Sequence, residues 1–164
     1  KAQKGQLGLV EAVKKLMGEV MSGPGAGQAD GDENSRLVTN AKKIGLLALG
    51  VAYQKYLTAL EEQQEVLAGI TDILMAAFAM ESVYLRTEKN PSDQKRDMTN
   101  VFLRATMEQI ELYARNVLAN ASEGDSLRMN LAVLKRFTKF EPVDAIGIRR
   151  RIAGRILQAE RYVV

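Results

Sequence analysis

Val66-Leu-Ala-Gly-Ile-Thr-Asp72-Ile-Leu-Met-Ala-Ala-Phe-Ala-Met-Glu81-Ser-Val-Tyr-Leu85 is a run of twenty residues, almost wholly apolar, that carries two carboxylates. At about 100° per residue, Val66, Ile70, Ile73, Leu74, Ala77 and Tyr84 crowd one side of a helix, and Ala68, Met75, Ala76 and Ala79 keep the other side apolar. No face is left for water, so the run reads as the buried central helix of a bundle. Its length would also suit a membrane span. An aspartate near the middle, Asp72, would cost roughly 2.5–3.5 kcal/mol on insertion, which favours the core helix.

Glu81 lies between Ile70 and Leu74 on the richest apolar side, and on this reading it is a buried structural carboxylate. Its expected partner is a cation on a neighbouring helix, with Lys55, Arg104 and Arg115 as candidates. A buried carboxylate is also a candidate for proton transfer, but the ion pair is the stronger reading. Asp72, nine residues earlier, points the opposite way, so the two carboxylates cannot share one substrate.

The 164 residues, 46% hydrophobic, suffice for one domain with a core, or for one domain with a flexible arm. Without cysteine there is no disulfide framework and no thiolate metal site. Without histidine, the Ser-His-Asp and Cys-His constellations, histidine zinc sites and Glu-x-x-His di-iron ligand sets are excluded. Neither catalytic nor cofactor-binding nor metal residues can be assigned. The chain opens at Lys1 with no hydrophobic signal core, and it reads as a fragment of something longer, in the cytoplasm by default.

The net charge is +3, and residues 144–164 account for all of it, with five arginines against Asp144 and Glu160. The basic pI of 9.2 thus belongs to one terminal helix. In that helix Ile148, Ile152 and Ile156 share one side, and Arg149, Arg150, Arg151 and Arg155 spread over the rest. Such a helix can lie on an anionic membrane surface or grip an acidic partner. It can equally be a terminal bundle helix with its apolar edge on the core. Nucleic acid is disfavoured, since no aromatic residues interleave with the arginines.

Along the chain, Leu9, Val13, Leu16, Met17 and Val20 mark a short amphipathic helix at 6–22, and residues 22–31 hold four glycines and a proline. The domain division expected is therefore an N-terminal helix and Gly-rich linker at 1–33 and a helical bundle at 34–164. The glycines lack the preceding strand and Gly-Lys-Ser/Thr of a phosphate loop. A long helix at 35–62 presents a small-residue stripe of Ala41, Gly45, Ala48, Ala52 and Ala59, which lets another helix approach closely. After the central helix, Asn90 is expected to cap a helix reaching Asn120, with Pro91 in its first turn. Its inner face is expected to hold Met98, Val101, Phe102, Ala105, Gln109, Leu112 and Tyr113, and its solvated face Arg104, Glu108, Glu111 and Arg115. Two shorter helices follow, the last capped by Asp144. The class is all-α, a helical bundle of three long helices with shorter flanking ones.

Taken together, Leu46-Leu-Ala-Leu-Gly-Val-Ala-Tyr-Gln-Lys-Tyr56, Leu60-Glu-Glu-Gln-Gln-Glu-Val-Leu67 and Asp72-Ile-Leu-Met-Ala-Ala-Phe-Ala-Met-Glu-Ser-Val-Tyr-Leu-Arg86 resemble the extra C-terminal helical domain of bacterial acyl-CoA dehydrogenases related to the very-long-chain enzymes. The likeness covers roughly residues 1–160 and is strongest between 44 and 90. It implies a parent enzyme that desaturates acyl-CoA thioesters in fatty acid β-oxidation with FAD, a glutamate of the catalytic core removing the α proton. The family's Tyr-Glu-Gly-Thr segment is absent, and no glutamate here matches a motif that would carry the base role. The resemblance implies a domain inactive alone that packs against the catalytic core of the same polypeptide, a homodimeric enzyme, and membrane attachment in the mitochondrial members, here peripheral to the inner membrane. A reading from a different class is a free-standing helical interaction module that uses its basic terminal helix.

Overall fold

The computed structural model describes residues 32–162 and, ahead of them, Gly8, Glu11, Ala12, Lys15 and Gly18. The expected helix at 6–22 and the Gly-rich linker lie outside the described residues, apart from those five positions. Five α-helices follow: α1 (Glu33–Tyr56), α2 (Gln64–Lys89), α3 (Asp93–Ala121), α4 (Gly124–Phe137) and α5 (Ala145–Ala159). No strand occurs among the described residues, and from Glu33 onward they form an all-α bundle of three long helices and two short ones.

Side-chain caps set three of the helix starts. Asp32 accepts from Ser35 N at 2.9 Å, Ser92 from Lys95 N at 3.2 Å and Asp144 from Gly147 N at 2.9 Å, each satisfying a backbone donor that the first turn leaves unpaired. The α3 cap is Ser92, not Asn90: Ser92 takes the extended backbone that a capping residue needs, and Pro91 precedes it. Asp144 caps α5 as expected, and Gly147 is what admits it, because a Cβ there would overlap the Asp144 carboxylate.

The long first helix ends earlier than its periodicity predicts. Leu57 turns to φ 47°, ψ −116°, and Leu57–Glu62 continues as a 3-10 helix before α2 begins. Neither half of this corner contains a glycine or proline that would announce it.

α1, α2 and α3 pack mutually around Leu37, Ile44, Leu47, Ile73, Met80, Leu103, Met107, Ile110 and Leu118, all fully buried. The stripe of Ala41, Gly45, Ala48 and Ala52 is buried, and a Cβ at Gly45 would come within 2.8 Å of Leu74 Cδ2. α2 meets α3 as closely at Gly69, where a Cβ would lie 2.9 Å from Val117 Cγ2. α4 closes one side with Val133, Leu134 and Phe137, its last carbonyl accepting from Asn40 Nδ2 of α1 at 3.0 Å. α5 lies against α3.

Candidate interaction surfaces

α2 is not buried all round. Val66, Ile70, Ile73, Ala77 and Met80 face the core, whereas Leu74, Met75, Phe78 and Leu85 lie outward, with Phe78 72% and Met75 64% exposed. On a helical wheel Leu74, Phe78 and Leu85 fall within about 40° of one another, with Met75 on the neighbouring row. They form an apolar stripe along the solvent side. By length and composition alone α2 could cross a membrane, but core helices meet the same criterion, and α2's inward residues are packed against α1 and α3.

Glu81 borders this stripe and is half-exposed, so the expectation of a buried carboxylate is corrected. Its partner is Lys42 of α1. The three expected partners are engaged elsewhere: Lys55 Nζ donates to Asn120 O at 2.6 Å, Arg104 to Glu33 and Arg115 to Glu111 at 2.5 Å. The pair joins two helices, but with both groups this exposed it contributes at most about 1 kcal/mol.

α3 is rotated relative to the expected face. Thr99, Leu103, Met107, Ile110, Ala114, Val117 and Leu118 point inward, while Phe102, Gln109 and Leu112 are exposed. Arg104, expected on the solvated face, is buried. Its guanidinium donates to Glu33 Oε2 at 3.0 Å, Asn34 Oδ1 at 3.2 Å and Glu141 O at 3.2 Å. Glu33 in turn accepts from Arg36 at 2.9 Å and from Glu141 N at 2.9 Å. One arginine therefore joins the start of α1, the middle of α3 and the segment between α4 and α5. A charge so removed from water persists because every neighbour is an acceptor.

The four arginines proposed for contact divide into two pairs. Arg151 and Arg155 reach back to Asp97 of α3, at 2.7 and 2.8 Å, and are spent holding α5 to the bundle. The Asp97 carboxyl is held below its ordinary value, chiefly by the hydrogen bond from Arg151, against the opposing effect of burial and with Arg155 adding to the lowering. Arg149 and Arg150 stay exposed beside Ile146, 64% exposed, and Leu157, 77% exposed. α5 thus has an inner edge, where Ile148 is buried, and an outer edge of apolar and basic residues.

Two of the concavities are lined wholly by described residues. One of about 470 Å3 lies between α2 and α3, lined by Glu65, Asp72, Tyr113, Asn116 and Asn120 among others. The other, about 310 Å3, is lined by Asp32, Tyr84, Thr87, Glu88, Arg96 and Thr99 among others, with Thr87 and Thr99 hydrogen-bonded to each other at 2.7 Å. Among the described residues no buried side-chain polar atom lacks a partner and no group of three potential metal ligands occurs. Neither concavity fits a flavin dinucleotide: the larger presents carboxylates to a diphosphate, and the smaller is at the lower limit for any ligand.

Residues 40–136 match the family described as acyl-CoA dehydrogenase, C-terminal domain. The whole chain is 38% identical to a probable acyl-CoA dehydrogenase of Bacillus subtilis (strain 168), of which it covers 29%. It also superposes on the crystal structure of an acyl-CoA dehydrogenase complexed with FAD from Bacillus anthracis with a TM-score of 0.89 at 41% identity, covering 100% of this chain and 30% of that one. The chain therefore spans less than a third of the length of the relatives it matches.

Proposed function

Since the chain belongs to the acyl-CoA dehydrogenase C-terminal domain family, we propose that it is the non-catalytic helical part of an FAD-dependent enzyme that oxidises acyl-CoA thioesters in fatty acid β-oxidation. The supporting observation is the pairing of full coverage of this chain with under a third of each relative's length. Flavin, general base and thioester site then belong to the rest of the polypeptide, and the helices here serve its assembly. The enzyme is a cytoplasmic homodimer, with residues 1–33 as a connecting arm and 34–164 as the bundle.

The outer edge of α5 supports an additional contact. Arg149 and Arg150, flanking Ile146 and Leu157, suit an anionic membrane surface or an acidic partner, whereas Arg151 and Arg155 act within the fold.

The test is to express the natural gene with its upstream sequence, and in parallel the chain alone, and to measure flavin absorbance and acyl-CoA-dependent reduction of an artificial acceptor. Flavin and activity in the long product, and neither in the chain alone, is the expected result. A gene that starts at Lys1, or a long product without flavin, would overturn the enzyme reading in favour of an independent helical module.

A further inference from the structure

We propose that the outward stripe of α2, formed by Leu74, Met75, Phe78 and Leu85, is the seat of the catalytic core of the same polypeptide. This rests on reading the chain as the C-terminal part of a flavin enzyme and adds the surface by which it is attached. The stripe exposes large apolar side chains in register along one helix, with no unpaired charge among them. Glu81 at its edge is neutralised by Lys42. A surface that apolar and that neutral favours a dry protein contact over water.

The size of the stripe decides the occupant. Four partly exposed side chains offer on the order of a few hundred Å2, whereas a stable association of free partners takes roughly 800 Å2 from each. A second copy of the chain would be held too weakly by this patch alone. A partner on the same polypeptide is present at an effective concentration of millimolar order, and a small apolar patch then suffices. Relatives more than three times as long as this chain supply such a partner. The outer edge of α5 is a poorer seat, because Arg149 and Arg150 would have to be desolvated there without acceptors in the bundle.

Met75 and Met129, 64% and 58% exposed in the bundle, serve as built-in reporters. In the intact, flavin-loaded enzyme treated with dilute peroxide, Met75 is expected to form sulfoxide at least tenfold more slowly than Met129, independently of enzyme concentration. Equal rates would overturn the proposal, and protection of Met75 that disappears on dilution would assign the stripe to a second copy instead. As a second measurement, amide hydrogen exchange is followed in the intact enzyme. Residues 74–85 are expected to exchange alike in the unmodified enzyme and in Leu157→Glu, and faster in the Met75→Glu, Phe78→Glu double variant, with exchange in α1 and α3 unchanged. Unaltered exchange of residues 74–85 in that double variant would overturn the proposal. An intact polypeptide without flavin would instead remove the reading beneath it, so the two failures are distinguishable.

Discussion

The two sides of α2 have nearly the same composition and opposite environments. Ile70, Ile73, Ala77 and Met80 are at most 3% exposed, while Leu74, Met75 and Phe78, a residue or two away, are 45–72% exposed. Inside, each methylene is matched by a neighbour on α1 or α3, and its removal leaves a void. Outside, Met75 and Phe78 add little to the bundle and are available to a partner, while Leu74 covers Gly45 of α1 with one edge and is exposed on the other. Equal hydrophobicity therefore measures what a helix is able to bury, not what this bundle alone buries.

The contrast is sharpest in a pair of truncations. Ile73→Ala should lower the stability of the chain by about 2–5 kcal/mol in urea unfolding, and Phe78→Ala should change it by less than about 0.5 kcal/mol. Similar losses for both would mean that the outward stripe is packed in the isolated chain. Arg104→Ala tests the polar counterpart of the core. It strands Asn34 Oδ1 and the Glu141 carbonyl and leaves Glu33 with only Arg36 and Glu141 N around an emptied site, and should cost about 2–4 kcal/mol and loosen amide protection in the 138–144 segment.

A smaller effect separates the bundle from its terminal helix. Asp97→Asn removes the charge that Arg151 and Arg155 share, and the loss should be seen as faster hydrogen exchange confined to α5. The pH dependence follows in sign. Because the folded Asp97 carboxyl lies below its ordinary 3.8, its contribution is complete above that value and is lost as pH falls through the lower folded one. α5 should loosen in acid before α1–α3 do, and the Asn variant should lack that step. The smallest effect is a gain: Leu57→Gly relieves a positive φ on a side chain 57% exposed and should stabilise by about 1 kcal/mol, a few degrees in Tm.

Much of the fold was legible. Helical spacing located every long helix, Asp144 announced the last one, and the small residues from Ala41 to Ala52 foretold close packing. Composition placed the net charge in α5. Besides the exposure of Glu81 and of the outer face of α2 and the cap at Ser92, three features were not legible, for related reasons. The rotation of α3 is not encoded locally, because Phe102, Leu112 and Leu103, Met107, Ile110 offer two apolar faces, and only the neighbours choose between them. Arg104 looked solvated because Glu108 stands four residues on, yet its acceptors are 71 and 37 residues away in Glu33 and Glu141. The break at Leu57 has no local signal, since its strained backbone is imposed by the need to turn α2 back along α1.

The sequence by itself determined that this chain is all-helical, where its helices run, which chemistries it lacks and which family its segments resemble. All of these rest on local periodicity, on residue types present or missing, and on short-range patterns. Only the tertiary structure decided which apolar face of each helix is spent on the core and which is left over, and which arginines are tied down. Those outcomes depend on pairings between residues far apart in the chain, such as Asp97 with Arg151 or Glu33 with Arg104, and no local pattern encodes the partner of a side chain that folding alone brings near.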